Sequence, residues 1–291
     1  MIEDCIMPVY KTSALRGGMG EMLLRMNCIG NRECEECGFI DDCIVRKIMY
    51  PKMKIVPDFM SENEGPGFLV DCEDYRERFS EGDELKFELL LFGPNITYFS
   101  QYISAFGMFG EEGLGKEKAR FRIVSVKNTT GEEMLREGGF RTDLYKVRTL
   151  AGHIRYRKGK IESEPVRSEI KFYTPLTLKY RGEFIKSLEI EPIIEAIKRR
   201  IYILDCFEGI ESDIRDEYKD LKLPIVIGEE HFNSSVSRFS NHKQEKMTFH
   251  GIEGSMKLEN VTDEVLTLLL AGELIHIGKN TSFGFGRYGV K

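Results

Sequence analysis

The sequence lacks any run of about 18 or more apolar residues, the length that a membrane-spanning helix requires. Its opening stretch, MIEDCIMPVY, carries acidic residues where a signal peptide carries positive charge. Both absences argue against membrane and secreted classes, so we expect a cytoplasmic protein whose thiols stay reduced. Histidine is also scarce, with 5 residues in the whole chain. This limits the side chains available for proton transfer near neutral pH.

The composition is that of a folded, soluble protein. Hydrophobic residues make up 41% and charged residues 31% of the 291 residues, which is unlike a disordered chain. This length allows two domains of ordinary size, each with its own core. The net charge of −6 argues against indiscriminate binding to polyanions.

Positive charge is concentrated in one stretch. Residues 141–200 contain 15 Lys/Arg and 8 Asp/Glu, and within them the segment 146–160, KVRTLAGHIRYRKGK, has six basic residues and no acid. Tyr156 stands between Arg155 and Arg157, an alternation that on a strand would place stacking and phosphate-neutralising groups together. We therefore name His153, Arg155 and Arg157 as candidate RNA-binding residues. A solvated face without a ligand remains the alternative.

Strand and helix signals recur in the same order at both ends of the chain. The first set is a strand at 84–92, a helix beginning near 96, a glycine-rich loop at 110–116 and a strand from 119. The second is a strand at 248–258, a helix at 262–271, a glycine-rich loop and a last strand at 285–290. Further helical periodicity covers 13–26, and Thr262 is the expected N-cap of the helix at 262–271.

This repeated order predicts an α+β protein with two tandem ferredoxin-like domains. We place the N-terminal domain at 1–165 and the C-terminal domain at 166–291, with a linker within 160–182. One face of such an antiparallel sheet is free of helices, and a free face suits RNA.

Four cysteines cluster in the predicted N-terminal domain as an insertion with the pattern C-x5-C-x2-C-x5-C: Cys28, Cys34, Cys37 and Cys43. Clustered thiols in a reducing compartment favour a tetrahedral metal site over disulfides. Structural Zn²⁺ is our first interpretation, and an iron–sulfur cluster or metal-free thiols are the alternatives. Four sulfur ligands would leave no open position, so we expect no catalytic role for this metal.

The chain closes on a glycine-rich, basic and aromatic loop, HIGKNTSFGFGRYGV. Its glycines, Gly278, Gly284 and Gly286, would let the backbone approach phosphates, and Lys279 and Arg287 would add charge. We count Ser282 with this candidate RNA-binding set, and Arg238 and Lys116 from two other loops. A tight turn leading into an edge strand is the alternative interpretation.

Taken together, these motifs resemble the CRISPR-associated RAMP-superfamily endoribonucleases of the type-six family, which process precursor CRISPR RNA. The resemblance spans nearly the whole chain and rests on motifs that follow the family's order. They are Leu15-Arg16-Gly17-Gly18, the cysteine cluster, Gly65-Pro66-Gly67-Phe68-Leu69-Val70, Leu91-Phe92-Gly93 with Gly113-Leu114-Gly115, Arg238-Phe239-Ser240 and the terminal loop.

The resemblance implies ferredoxin-like domains of the RAMP type and metal-independent cleavage within CRISPR repeat RNA. The 2′-hydroxyl would attack its own phosphate and leave a 2′,3′-cyclic phosphate. It also implies retention of the product or its transfer to a CRISPR effector complex. A non-catalytic subunit that binds CRISPR RNA on the same fold is the alternative.

Such cleavage needs a base, an acid and a cation. His242, beside Lys243 in a polar segment, is our first catalytic candidate, and His276 next to the terminal loop is the second; His231 and His250 are weaker. Family members often carry the base near the first helix, but the first histidine here is His153. A lysine, tyrosine or arginine could replace it there, and Tyr10, Lys11 and Arg16 are available.

Overall fold

The computed structural model describes residues 1–60, 65–115, 118–136, 139–161, 168–240 and 245–291. The chain divides into two compact units, Met1–Lys52 with Glu64–Thr149, and Met53–Asn63 with Leu150–Lys291. The domain boundary predicted between residues 165 and 166 lies outside the described residues and stays a prediction.

The first unit combines three helices with short antiparallel strand pairs. The helices are α1 (Thr12–Asn27), α2 (Ile44–Met49) and α3 (Phe99–Glu112). The strands are β1 (Cys5–Ile6), β2 (Phe68–Asp71), β3 (Arg78–Phe79), β4 (Glu88–Leu91), β5 (Leu135–Arg136) and β6 (Gly139–Phe140). They pair as β1–β3, β2–β4 and β5–β6.

The core of the first unit lies between α1 and α3. Leu15, Met19 and Leu23 follow one another at intervals of four, so they share one face of α1, and all three are buried. The two helices approach closely at Gly18, where an added Cβ would lie 2.0 Å from the ring of Phe109. Glycine is therefore required by packing at this point of α1.

The second unit holds most of the sheet. Its helices are α4 (Leu150–Ile161), α5 (Ile190–Glu208), α6 (Ile214–Glu217) and α7 (Asp263–Ile275). Its strands are β7 (Ser168–Leu176), β8 (Lys179–Tyr180), β9 (Glu183–Phe184), β10 (Ile225–Ser240), β11 (Glu245–Glu259) and β12 (Tyr288–Val290). Four of them form one antiparallel sheet in the order β10-β11-β7-β12.

The α+β fold class is therefore confirmed. The main elements of the second unit run β7-α5-β10-β11-α7-β12, which is the order of a ferredoxin-like domain. In the first unit the described strands pair only two by two. The tandem pair of ferredoxin-like domains and the role of the four cysteines as an insertion stay predictions.

One face of the four-stranded sheet is covered by α5 and α7. Phe172 on β7 and Met256 on β11 are buried in one apolar cluster with Ile193 and Ile197 of α5 and Leu268 of α7. The residues between them along the strands point to the opposite face, because side chains alternate on a strand. That opposite face is here called the outer face.

Helix α7 begins where its capping residue predicts. It starts after Thr262, whose hydroxyl accepts a hydrogen bond from the Val265 backbone N–H at 3.4 Å, so the predicted N-cap is confirmed. Among the described residues, no helix combines the length and the apolar character that a membrane span requires.

Two local predictions were wrong. The linker expected within 160–182 contains β7, a central strand of the sheet. The basic run at 146–160, expected as a strand, is largely the helix α4, because Leu150, Ile154 and Ile161 recur at helical spacing and pack on the core of the second unit. Its basic side chains therefore do not alternate across a sheet.

Candidate functional site

The terminal loop folds back onto the end of β7. The Lys279 N–H donates to the Thr177 carbonyl at 2.8 Å, and the Gly286 N–H donates to the Pro175 carbonyl at 3.1 Å. Within the loop the Ile277 N–H donates to the Gly286 carbonyl at 3.2 Å. These backbone donors are thus used inside the protein.

The loop glycines are required by backbone conformation and close packing. Gly278, Gly284 and Gly286 have φ of 84°, 79° and 67°, in the left-handed region. An added Cβ on Gly286 would lie 1.8 Å from the Ile277 carbonyl oxygen, and one on Gly278 would lie 2.7 Å from the Thr177 carbonyl oxygen. Gly284 and Gly286 are buried. For these two glycines the placement favours the tight turn over a direct phosphate contact.

The two cations of the loop are directed differently from its glycines. Lys279 is exposed, and its Nζ lies 5.1 Å from the ring centre of Phe184, an exposed side chain of β9. The Arg287 guanidinium lies 4.9 Å from the ring centre of Tyr173 on β7. Ser282 is half-buried. The loop therefore places two cations beside aromatic rings of β9 and β7, while its glycines fix the turn.

A long hairpin is anchored to the same loop. β10 and β11 pair from Ile225–Glu259 as far as Ser240–Glu245, but β11 pairs with β7 only from Ile252 to Leu258. The remainder is a two-stranded ribbon beyond the sheet. At its base the Phe249 ring lies 5.7 Å from that of Phe283 and 5.4 Å from that of Phe285, both in the terminal loop. This aromatic cluster holds ribbon and loop together.

Several candidates lie at or beyond the limits of the described residues. His242 and Lys243, the first catalytic candidates, lie outside them, as does Lys116. The backbone of Arg238 pairs with Met247 in the ribbon. The roles of these residues stay predictions.

The remaining histidines occupy different environments. His276 follows α7 with a φ of 53° and is 1% exposed, so a structural role fits this position better than contact with RNA. His153 is half-buried on α4, and His250 is exposed on the ribbon. The His231 Nδ1 lies 2.7 Å from a carboxylate oxygen of Glu229.

The candidate cations of α4 are partly engaged within the protein. Arg157 donates to both carboxylate oxygens of Glu273 on α7, at 2.6 and 3.1 Å, and to the Val290 carbonyl at 3.4 Å. Its guanidinium therefore joins α4 to α7 and β12. Arg155 is exposed and keeps its charge at the surface.

In the first unit, Lys11 lies at the start of α1 and is 1% exposed. Its ammonium donates to the Asp74 carbonyl at 2.7 Å and the Val9 carbonyl at 3.3 Å. Burial lowers its pKa, since the charged form loses hydration. Beside it, the Tyr10 and Tyr75 rings meet edge to face at 6.1 Å. This ammonium supports the fold around α1 and is not directed to the surface.

The four clustered cysteines are half-buried free thiols. Among the described residues, no three His, Cys, Asp or Glu side chains stand close enough to hold a metal ion. As described, the four thiols therefore do not stand together as a set of metal ligands. Structural zinc stays a prediction.

Sequence reasoning missed the aromatic and basic groups on the outer face of the sheet, Lys171 and Tyr173 of β7. The Lys171 Nζ lies 5.8 Å from the Tyr173 ring centre. The signal is the alternation of buried Ile170 and Phe172 with these two residues, but Pro175 within the same segment favours a linker when only the sequence is read.

Comparison with known families gives one match in each half of the chain. Residues 1–149 match the family model AF_1859_N, described as an N-terminal domain. Residues 170–288 match the model of the CRISPR-associated endoribonuclease Cas6. This second match contains the hairpin of β10 and β11, all but the first two residues of β7, and the terminal loop as far as Tyr288.

Individual relatives are distant in sequence. An uncharacterized protein of Archaeoglobus fulgidus is 23% identical over 308 aligned positions, which cover 98% of this chain and 93% of the relative. Thermus thermophilus Cas6 in a product complex is 14% identical with a TM-score of 0.53, over 99% of this chain and 97% of that one. A Cas6-RT-Cas1–Cas2 complex is 10% identical with a TM-score of 0.55, over 99% of this chain and 45% of that one. At these identities the two structures establish a shared fold.

Proposed function

This chain belongs to the AF_1859_N family and, through its residues 170–288, to the Cas6-type CRISPR-associated endoribonucleases, and we propose that it binds CRISPR repeat RNA and cuts it without a metal ion. The observation that carries the proposal is the position of the second family match. It contains most of the four-stranded sheet, whose outer face carries Lys171 and Tyr173, and the loop that presents Lys279 and Arg287. Cations beside aromatic rings on such a face suit single-stranded RNA.

The proposed reaction is an intramolecular transfer within the RNA. A base removes the proton from a 2′-hydroxyl, and the O2′–P bond forms as the bond from phosphorus to the 5′-oxygen breaks. An acid returns a proton to that 5′-oxygen, which leaves a 2′,3′-cyclic phosphate and a 5′-hydroxyl. We assign the proton transfers to His242 and the stabilisation of phosphorane charge to Lys243, because imidazole titrates near neutral pH and an ammonium is a compact charge.

The test is cleavage of an end-labelled repeat RNA from the genome that encodes this chain, in excess EDTA. We expect one cut with a cyclic-phosphate end in the wild type and a loss of about 10²–10⁴-fold in rate for His242→Ala, the usual contribution of a general acid or base. Asn233→Ala is the matched control, since it truncates an exposed polar side chain of the same hairpin that cannot transfer a proton.

Three results would contradict parts of this proposal. Cleavage that requires a divalent ion removes the metal-independent mechanism. Normal cleavage by His242→Ala would refute the catalytic role of His242 and leave the nuclease activity in place. Tight binding of repeat RNA without any cut by the wild type removes the nuclease itself.

A non-catalytic subunit that carries CRISPR RNA is the second candidate function. It is favoured by the absence of any histidine before His153 in the sequence, since the family often places its base near the first helix. In either function, we propose that the RNA product passes to other CRISPR proteins. One of the similar structures is described as a partial Cas6-RT-Cas1–Cas2 complex, and the similarity covers 45% of the matched chain.

A further inference from the structure

The outer face of the four-stranded sheet carries one half-buried aromatic side chain on a central strand, Tyr173. Strand pairing aligns this residue with Arg287, whose carbonyl accepts a hydrogen bond from the Tyr173 N–H at 3.0 Å. The next outward residues along the two strands, Lys171 of β7 and Gly289 of β12, are paired with each other. Tyr173 thus stands within a small patch made by β7 and β12.

The Tyr173 ring leans over the neighbouring strand. A Cβ added to Gly289 would lie 3.1 Å from one ring carbon of Tyr173 and 3.4 Å from its hydroxyl oxygen. The ring therefore lies along the sheet, above Gly289, where a side chain at position 289 would crowd it. A ring that lies along a sheet surface exposes a flat area, as stacking requires.

The charges around this ring are nearly balanced. Outward positions on the same face include four cations, Lys171, Lys257, Arg287 and Lys291, and three carboxylates, Glu169, Glu230 and Glu253. Such a face cannot bind RNA through attraction of phosphates alone, because neighbouring charges of opposite sign cancel at a distance. The Tyr173 ring differs from these groups in lying on a central strand between two cations, with the Arg287 guanidinium 4.9 Å and the Lys171 ammonium 5.8 Å from its centre. The other aromatic residue paired into this face, Phe232, is on the edge strand β10.

We propose that Tyr173 is a stacking platform for one unpaired base of the bound RNA, an inference that rests on the proposed function. A nucleotide fits the patch in both of its parts: its base stacks on the ring, and its phosphate lies within reach of Arg287 or Lys171. Guanidinium groups also stack on bases, so Arg287 extends the platform. This binding is sequence-tolerant, since every base has a π-face.

The experiment combines variants of the protein with variants of the RNA. The probe is a repeat RNA with a 2′-deoxyribose at the mapped cut position, or the unmodified repeat if the wild type makes no cut. A series of such RNAs carries a single abasic site at successive positions. Affinities are measured for wild type, Tyr173→Leu and Tyr173→Phe, with Phe59→Leu as control.

Phe59 is a suitable control because its ring also carries an arginine, with the Arg199 guanidinium 4.0 Å from its centre. Arg199 belongs to α5, so this ring lies on the helical side of the sheet and not on its outer face. A thermal melt of each variant checks that folding is retained.

We expect Tyr173→Leu to bind intact repeat RNA about 5- to 150-fold more weakly, the fold-change that corresponds to loss of one stacked base. Tyr173→Phe and Phe59→Leu should bind like the wild type. One abasic position should weaken wild-type binding by a similar factor and should not weaken Tyr173→Leu any further, since the two changes remove the same contact.

The proposal is overturned if folded Tyr173→Leu binds RNA as tightly as the wild type. It is also overturned if the reduction in affinity caused by Tyr173→Leu adds to the reduction caused by the abasic site at every position of the RNA. Either result leaves RNA binding by the wild type in place. Failure of the wild type to bind repeat RNA more tightly than a shuffled sequence would instead remove the proposed function, and this inference with it.

Discussion

Replacing Gly286 by alanine tests whether the terminal loop depends on glycine for its fold or for contact with RNA. The φ of 67° at this position would cost a non-glycine residue about 1–2 kcal/mol. The added Cβ would also lie 1.8 Å from the Ile277 carbonyl oxygen, so the backbone must move. That movement breaks the Ile277–Gly286 and Gly286–Pro175 backbone hydrogen bonds, which contribute about 0.5–1.5 kcal/mol each.

These contributions give a loss of about 2–5 kcal/mol for Gly286→Ala. Gly182→Ala is the matched control, because Gly182 has a φ of 91° and nothing within 4 Å of an added Cβ. Only the conformational cost of about 1–2 kcal/mol applies there. Since 1 kcal/mol corresponds to about 2–4 °C in a domain of this size, Gly286→Ala should melt about 2–12 °C below Gly182→Ala.

The assay is thermal unfolding followed by circular dichroism, with RNA affinity measured on the same preparations. Equal melting temperatures for the two variants would show that the Ile277 contact is relieved without cost, and would refute a packing role for Gly286. A normal melting temperature for Gly286→Ala together with a loss of RNA affinity would instead indicate that Gly286 contacts a phosphate directly.

Three further predictions concern charged side chains. Lys279→Ala should weaken RNA binding about uniformly across sequences and reduce the slope of log affinity against log salt by about 1. Lys222→Ala, which removes another exposed lysine, should leave the affinity and the slope unchanged. Equal effects of the two variants would mean that only the net charge of the protein matters. Arg157→Met should lower the melting temperature, because the partly buried Glu273 carboxylate loses its bidentate partner, and a melting temperature equal to wild type would show that this ion pair contributes nothing. Hydrogen bonds from Lys146, Asn128 and Thr130 lower the pKa of Glu132 from 4.5 to about 2. Because this pKa is lower in the folded than in the unfolded protein, ionised Glu132 stabilises the fold above pH 4.5, and this stabilisation is lost as the pH falls from 4.5 towards 2. Glu132→Gln should therefore flatten the pH dependence of the melting temperature between pH 4.5 and 2. A pH profile equal to that of the wild type would refute this.

Elements whose signals are local were predictable from the sequence. The helix at 13–26 is found as Thr12–Asn27, since its apolar residues recur at helical spacing. The helix after Thr262 begins where its capping residue predicts. In each case the residues that determine the element lie within it.

The central strand β7 could not be found in this way. It carries Pro175 near its end, and a proline demotes a strand when only the sequence is read. Here the Pro175 carbonyl accepts from Gly286, so the residue terminates the strand against a loop more than 100 positions away in the chain. For the same reason Tyr173 and Arg287 could not be joined from the sequence, because strand pairing alone brings them together.

The basic run shows the opposite limit of sequence-based prediction. There a short pattern predicted a binding site without regard to how the segment packs. Arg157 was selected for its charge, but its position on a helix turns it towards Glu273. Composition indicates which groups are present, and packing decides which of them remain at the surface.

In the hairpin of β10 and β11, the length of the ribbon is independent of the contact that fixes its base to the terminal loop. Phe249, paired with Val236, fixes the base of the ribbon to the terminal loop, and a shift of one residue below this pair would turn Phe249 to the other side. Beyond the pair, each residue added to both strands would lengthen the ribbon by about 3.4 Å without disturbing the register at its base. A longer or shorter ribbon could therefore be built on the same sheet and the same terminal loop.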